Sequence, residues 1–244
     1  MVRKLLLCIL MAPLLLSCLS TGGREEPVEP CMVSTTQRIV IIGASSSAGG
    51  VWAPALDHYL KKILQGPDCQ VFNFADAKMS ERLVESADSQ IRSAKALNPT
   101  LVVATDFLFW FAYRGPVEER GERFEQGLSF ARNFDCPVLL GDVPDLTDST
   151  ALKLYGVTFP TQAQLDSFNA KVRETCKERA GRVFYFPMSS SAIAASRGGC
   201  QKLAGKRFNL GSTLWLDGVH PNEHGVSQLS AMVAHVLQYN SLIR

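Results

Sequence analysis

Apolar segments of two different periods alternate along the chain after residue 37. Short runs rich in Val, Ile, Leu and Phe, bounded by Gly, Pro or polar residues, are typical of strands buried on both faces of a parallel sheet. Five such runs are present, at 38–43, 70–75, 100–106, 137–143 and 182–187. Each of these runs predicts one strand.

Segments with an apolar residue every three or four positions separate these runs and predict amphipathic helices. They cover residues 50–64, 80–97, 117–134 and 161–180, with a last segment that begins at Pro221. Ser80 is placed to cap the second helix. Pro221 suits a first helical position, because its missing N–H would be unpaired there.

Strands that alternate with helices predict one α/β domain, a five-stranded parallel sheet covered by helices on both faces. The chain has 244 residues, enough for one such domain over 38–244. Binding and chemistry in these sheets gather at the carboxyl ends of the strands. This rule directs attention to the residues just after Ile42, Ala75 and Val103.

The first 37 residues follow a different pattern. Arg3 and Lys4 precede an apolar run of about 12 residues, which is too short to span a bilayer stably and predicts a signal peptide over 1–17. Leu15-Leu16-Ser17-Cys18 resembles a bacterial lipobox, in which cleavage leaves the cysteine to be lipidated. We therefore expect a lipid on Cys18, a polar tether over 18–37, and an exported lipoprotein that is periplasmic or anchored in the outer membrane. A plain signal peptide cut further on, or an uncleaved anchor, is the alternative.

Charge and cysteine content exclude some classes of function. A formal net charge of +2, from 25 basic and 23 acidic residues without a basic tract, gives little support to nucleic-acid binding. Five cysteines follow the predicted lipidation site without a C-x-x-C pair or metal-site spacing. In an oxidising periplasm, a disulfide such as Cys176–Cys200 and buried free thiols are equally compatible with the sequence.

The first apolar run leads directly into a glycine-rich turn, Gly43-Ala44-Ser45-Ser46-Ser47-Ala48-Gly49-Gly50. Such a turn can bind phosphate, or it can expose a serine whose own N–H faces a developing oxyanion. Neither a P-loop ending nor G-x-G-x-x-G is present, and Ser47 replaces the second glycine of a G-x-S-x-G elbow. Taken alone, the turn is more typical of structure than of catalysis.

A carboxylate and an imidazole stand three residues apart before the last predicted helix, in Asp217-Gly218-Val219-His220-Pro221-Asn222. This spacing can put both groups on one side of a turn, so that Asp217 orients one ring nitrogen of His220 while the other nitrogen faces a serine. A serine hydroxyl needs such a base to become a nucleophile. Ordinary helix-entry residues are the alternative, and they account for most isolated D-x-x-H strings.

The two motifs together, Gly43-x-Ser45 after the first strand and Asp217-x-x-His220-Pro221-Asn222 before the last helix, resemble those of the SGNH/GDSL hydrolases. The resemblance implies a three-layer α/β/α sandwich of the flavodoxin-like, SGNH hydrolase type. It implies Ser45 as nucleophile, His220 as general base and Asp217 as the carboxylate that orients it. The implied reaction is hydrolysis of carboxylic esters, including O-acetyl groups of envelope carbohydrate, and no metal or organic cofactor is implied.

Three positions depart from the family's pattern. Ala44 replaces the usual Asp after the first glycine. Lys78 stands where a glycine would offer its N–H to the oxyanion hole, and its backbone N–H could still donate. The third block contains no asparagine donor, and Asp106 lies there instead. We expect Asp106 to orient a substrate hydroxyl or Lys78, or else to cap the next segment structurally.

Two questions stay open at this level. One is whether the aromatic residues after the third strand line an acyl or carbohydrate pocket or fill the core: Phe107, Phe109, Trp110, Phe111 and Tyr113. The other is whether the fold catalyses at all. The missing asparagine favours a non-catalytic envelope protein that binds glycan or a partner, and the same site would also serve an O-acyltransferase.

Overall fold

The computed structural model describes residues 30–50, 53–214 and 217–243. The predicted signal peptide over 1–17, Cys18 and the first part of the predicted tether lie outside the described residues. The end of the tether segment is folded, because Cys31 and Val33 are buried and the strand Cys31–Met32 pairs in parallel with Leu64–Gln65. The predicted tether over 18–37 therefore overlaps the folded domain.

Nine strands occur in the described part of the chain. They are β1 (Cys31–Met32), β2 (Gln37–Ile41), β3 (Leu64–Gln65), β4 (Cys69–Asn73), β5 (Leu101–Ala104), β6 (Val138–Gly141), β7 (Val183–Phe186), β8 (Cys200–Leu203) and β9 (Lys206–Asn209). Five of them form the central sheet, in the order β4-β2-β5-β6-β7, with every pairing parallel. This confirms the predicted five-stranded parallel sheet.

Helices lie on both faces of this sheet. Those in the described residues are α1 (Ser45–Ala48), α2 (Leu56–Ile63), α3 (Leu83–Ala96), α4 (Phe109–Tyr113), α5 (Arg120–Arg132), α6 (Thr150–Leu154), α7 (Gln162–Glu178), α8 (Met188–Ser196) and α9 (Glu223–Tyr239). Val40 and Val102 pack with α3, α5 and α7 on one face, whereas Ile39 and Val103 pack with α2 and α9 on the other. Successive strand residues thus supply two separate cores, and the predicted α/β/α sandwich is confirmed.

Two predicted helix starts are wrong. Ser80 lies in a turn, and α3 begins at Leu83 without a side-chain cap. The last helix begins after Asn222 rather than at Pro221, because the Asn222 side chain accepts a hydrogen bond from the Gly225 N–H at 2.9 Å. Pro221 instead forms an isolated β-bridge with Leu214.

The segment between β7 and α9 contains elements that periodicity did not predict. Helix α8 follows β7 almost directly, and β8 pairs antiparallel with β9 as a two-stranded hairpin beside the main sheet. The backbone N–H of Leu210 donates to the carbonyl of Gly199 at 2.9 Å, so the hairpin closes against the end of α8. These elements build one wall of the site described below.

Two further observations concern the cysteines and the possibility of a membrane-spanning helix. The five cysteines among the described residues are free, so Cys176 and Cys200 form no disulfide there, and Cys200 is exposed. No helix in the described ranges is both long enough and apolar enough to cross a membrane.

Candidate active site

Ser45 is separated by three residues from the end of strand β2 and is the first residue of α1. The turn before it is held from two sides, since the Gly43 N–H donates to Gln90 Oε1 at 2.7 Å and the Gly43 carbonyl accepts from the Asp76 N–H at 3.0 Å. A Cβ atom at Gly43 would lie 2.0 Å from Oδ1 of Asp106. A side chain at this position would displace the Asp106 carboxylate, which explains why glycine stands in the turn between β2 and α1.

Asp217 and His220 occupy a tight turn before α9. Oδ1 of Asp217 accepts hydrogen bonds from the N–H groups of Val219 at 2.9 Å and His220 at 3.0 Å. Gly218, between them, has a φ of +70°, a left-handed conformation that favours glycine. The aspartate therefore folds its own turn with one oxygen and leaves the other for the imidazole.

The structure brings Ser45, His220 and Asp217 together although 175 residues separate the serine from the histidine. Nδ1 of His220 lies 2.7 Å from Oδ2 of Asp217, and Nε2 lies 3.0 Å from Oγ of Ser45. With the proton on Nδ1 donated to the carboxylate, Nε2 is free to accept the serine proton. The three groups form a continuous series of hydrogen bonds.

The carboxylate of Asp217 is electrostatically suited to this turn. Partial burial alone would raise its pKa, but hydrogen bonds from the Val219 N–H and from the His220 ring and N–H outweigh that effect. The pKa of Asp217 is therefore lowered from its ordinary value, and the group is anionic at neutral pH.

Asp106 has a different role from the one expected. Its carboxylate accepts hydrogen bonds from the Ser47 hydroxyl at 2.6 Å and from the Ser47 N–H at 3.1 Å. Burial raises the pKa of Asp106, although these bonds and one from the Ala44 N–H oppose the rise. The expected contact with Lys78 is absent from the hydrogen bonds and ion pairs of the described residues. Asp106 thus fixes the turn that carries Ser45, a structural role different from the expected cap of the segment that follows it.

Lys78 does not offer its backbone N–H to the site, because that N–H donates to Oδ1 of Asp76 at 2.8 Å and the residue is exposed. The Lys78 N–H is therefore already engaged in the turn after β4. Ala77 is the residue that lines a cavity of about 200 Å³ together with Ser45 and His220. Within the described residues, the N–H groups of Ala77 and Ser45 donate no hydrogen bond.

The aromatic residues after β5 are mainly core. Phe107, Phe111 and Tyr113 are fully buried in the cluster that packs with α3, α5 and α7. Phe109 also lines a second cavity that reaches Ser45. The core alternative is thus correct for most of them, and Phe109 is the member that also contacts a cavity of the site.

Solved structures of other proteins share the fold of this chain. A lipase/acylhydrolase from Enterococcus faecalis superimposes with a TM-score of 0.55 at 15% identity, over 85% of this chain and 97% of that one. This chain has the fold of that acylhydrolase. A protein from Bacteroides fragilis superimposes with a TM-score of 0.52 at 16% identity, over 88% of this chain and 91% of the other. No protein-family model and no curated protein matches the sequence.

Two residues of this acylhydrolase fold support the site and were not predicted to do so. Ser149 Oγ donates a hydrogen bond to the Asp217 carbonyl at 2.9 Å. Asn222 Nδ2 donates to the Ser212 carbonyl at 2.6 Å, which ties the end of the Asp217–His220 turn to the segment after β9. Asn222 belongs to the motif singled out in the sequence, whereas nothing local marks Ser149, which lies 68 residues away from Asp217.

The site contains no evident metal position. In the described part of the chain, no three His, Cys, Asp or Glu side chains are grouped so that they could hold an ion.

Proposed function

We propose that this chain is a serine hydrolase that cleaves carboxylic esters through Ser45, His220 and Asp217. The observation that supports it best is the hydrogen-bonded series from Oδ2 of Asp217 through the His220 ring to Oγ of Ser45, with distances of 2.7 and 3.0 Å. The acylhydrolase fold agrees with this chemistry without specifying it.

In the proposed reaction, Oγ of Ser45 attacks the carbonyl carbon of the ester while Nε2 of His220 takes the hydroxyl proton. The resulting tetrahedral intermediate expels the alcohol, which receives that proton from His220. A water molecule then attacks the acyl-serine with the same base, and the acid leaves. Asp217 keeps the imidazole oriented and stabilises its protonated form.

The developing oxyanion needs donors, because the asparagine that the resemblance would supply is missing. We assign this role to the N–H groups of Ser45 and Ala77, which belong to residues that line the His220 cavity and donate no hydrogen bond within the described residues. Backbone donors of this kind supply a large share of the rate in acyl transfer. The lack of the asparagine is therefore no argument for a non-catalytic protein.

The test is the reactivity of Ser45 in the full-length chain. We expect a fluorophosphonate probe to label wild type and p-nitrophenyl butanoate to be hydrolysed, with both signals lost in Ser45→Ala and His220→Ala. Surface variants Ser129→Ala and His58→Ala provide matched controls, since both residues are exposed. Labelling that persists in Ser45→Ala, or no labelling and no hydrolysis in wild type, would contradict the proposal and favour a binding protein.

An acyltransferase would use the same acyl-serine. Adding an alcohol acceptor to the hydrolysis assay separates the two activities, because a transferase forms new ester at the expense of free acid. We expect acid to remain the main product, since the proposal assigns water as the acceptor.

We also propose that the protein is exported and carries its lipid on Cys18. This part rests on the lipobox-like sequence alone, since residue 18 lies outside the described residues. Metabolic labelling with an alkyne fatty acid should mark wild type and not Cys18→Ser. Equal labelling of both would contradict the proposed lipid on Cys18 and would not affect the hydrolase proposal.

A further inference from the structure

A second cavity begins at Ser45 and extends beneath α8, and its wall does not include His220. Carbon-rich side chains from several elements line it: Phe109, Leu146, Met188, Ala192, Leu210 and Leu229. We propose that this cavity holds the acyl chain of the ester, so that the preferred substrate carries an apolar acyl group of at least about four carbons rather than acetyl. The assignment rests on the proposed function, because it takes Ser45 as the nucleophile.

Among the polar side chains of this wall, those of Ser191, Thr213 and Asp106 are engaged within the protein, whereas Ser46 is the neighbour of Ser45. Ser191 Oγ donates to the Pro187 carbonyl at 2.6 Å, and Thr213 Oγ1 donates to the Leu210 carbonyl at 2.7 Å. Asp106 accepts its hydrogen bonds from the Ser47 turn. A sugar hydroxyl placed here would lose its water and find few partners, at a considerable cost in free energy. An alkyl chain has no hydrogen bonds with water to lose, and it would bury apolar surface.

The size of the cavity limits the length of the chain. Its volume is about 90 Å³. At about 30 Å³ for each group of the size of a water molecule, it accommodates roughly three methylene-sized groups beyond the carbonyl. Acetyl would leave this space empty, whereas a long fatty acyl chain would have to leave the cavity and meet solvent.

The wall is held in place before any substrate binds. Oδ1 of Asp142 accepts from the Ser189 N–H at 2.6 Å, and Oδ2 accepts from the Ser189 hydroxyl at 2.7 Å. Oδ2 also accepts from the Tyr185 hydroxyl at 2.6 Å. These bonds fix the first turn of α8 to the carboxyl ends of β6 and β7. A preformed apolar wall of this kind discriminates between acyl chains without reordering.

The first experiment varies only the acyl chain. With p-nitrophenyl acetate, butanoate, hexanoate and dodecanoate the leaving group is constant. We expect kcat/KM to rise about fourfold for each methylene buried, up to butanoate, to stay near that value for hexanoate, and to fall for dodecanoate. Acetate equal to or better than hexanoate would overturn the proposal.

The second experiment fills the cavity. In Ala192→Phe we expect the hexanoate-to-acetate ratio of kcat/KM to fall toward one. The neighbouring Ile193 is 41% exposed and does not line the cavity, so Ile193→Phe is the matched control and should keep the wild-type ratio. A ratio that Ala192→Phe leaves unchanged would overturn the proposal.

A binding measurement tests whether the cavity holds acyl chains, independently of catalysis. Ser45→Ala should bind hexanamide at least tenfold more tightly than acetamide in an NMR titration, and Ala192→Phe in that background should remove the difference. Equal binding of the two amides would overturn the acyl cavity even if esters are hydrolysed. If Ser45 proves unreactive but the protein binds hexanamide selectively, the acyl-cavity proposal stands and the proposed hydrolase function is wrong.

Discussion

The buried carboxylate of Asp106 holds Ser47 by two hydrogen bonds, at 2.6 Å to its hydroxyl and 3.1 Å to its backbone N–H. Ser47 is two residues from Ser45 in the same turn, so a group at the end of β5 fixes the conformation that follows β2. This relationship makes Asp106 a positioning residue for the site.

Removing this carboxylate should loosen the serine turn. We expect Asp106→Ala to lower the free energy of unfolding by about 1–3 kcal/mol, because it leaves the buried Ser47 hydroxyl unpaired. Hydrolysis should fall with it, through a lower kcat. Urea unfolding and ester kinetics check both effects, with the exposed Asp68→Ala as control. Unchanged stability in Asp106→Ala would contradict this role.

The oxyanion assignment is testable in the turn after β4. Ala77→Pro removes the N–H that we assign to the oxyanion, and we expect kcat to fall about 10²–10³-fold. Lys78→Pro disturbs the same turn but removes an N–H that already donates to Asp76. If both variants lose activity equally while remaining folded by circular dichroism, the assignment to Ala77 is wrong.

Asp217 should matter to reactivity more than to folding. Asp217→Asn keeps an oxygen for the turn, but it loses the charge that orients and stabilises the imidazole. We expect kcat to fall about 10²–10⁴-fold, with a similar loss in the rate of fluorophosphonate labelling of Ser45. A variant that is labelled at the wild-type rate would show that Asp217 does not orient His220.

The lowered pKa of Asp217 also predicts how stability depends on pH. A carboxylate whose folded pKa lies below its unfolded value stabilises the fold above the unfolded pKa, and the contribution is lost as pH falls through the folded pKa. The free energy of unfolding of wild type should therefore exceed that of Asp217→Asn at pH 7 and 5, by at most about 1 kcal/mol since the group is partly exposed. The difference should shrink below the ordinary value of 3.8. A difference that grows toward acid pH would contradict this sign.

The central sheet was predictable because its inner strands β2, β5 and β6 are almost wholly buried. Ile39 to Ile42 are all fully buried, and such a run cannot be mistaken for a polar loop. The elements between β7 and α9 gave no comparable signal. Strand β8 alternates exposed and partly buried residues, β9 is exposed apart from the buried Phe208, and α8 is rich in Ser and Ala without a clear apolar stripe.

Some parts of the candidate site could be predicted from the sequence and others could not. Ser45, Asp217 and His220 stand in short motifs with a local spacing, so the sequence could mark them before the structure brought them together. The N–H donors that we propose for the oxyanion could not be predicted, because an N–H belongs to every residue and only the path of the chain places Ala77 rather than Lys78 at the cavity. The apolar cavity combines residues from Phe109 to Leu229, a separation that no local pattern records.

Ser149 offers a last test, because it connects α6 to the back of the Asp217 turn. Its hydroxyl donates to the Asp217 carbonyl at 2.9 Å and accepts from the Leu152 N–H at 3.2 Å as the N-cap of α6. We expect Ser149→Ala to lower the free energy of unfolding by about 1 kcal/mol. It should also lower kcat severalfold with little change in KM, since Asp217 then orients His220 less well.

Thr161→Ala is the matched control for this last variant. Thr161 caps α7 in the same way, by accepting from the Gln164 N–H at 3.2 Å, but it does not contact the Asp217 turn. It should lose similar stability and keep kcat. Ser149→Thr retains the hydroxyl and should restore most of the activity, as measured by ester kinetics at one saturating and one limiting substrate concentration. Equal kcat values in Ser149→Ala and Thr161→Ala would show that Ser149 only caps α6. The loss of a cap alone changes stability and not the orientation of His220.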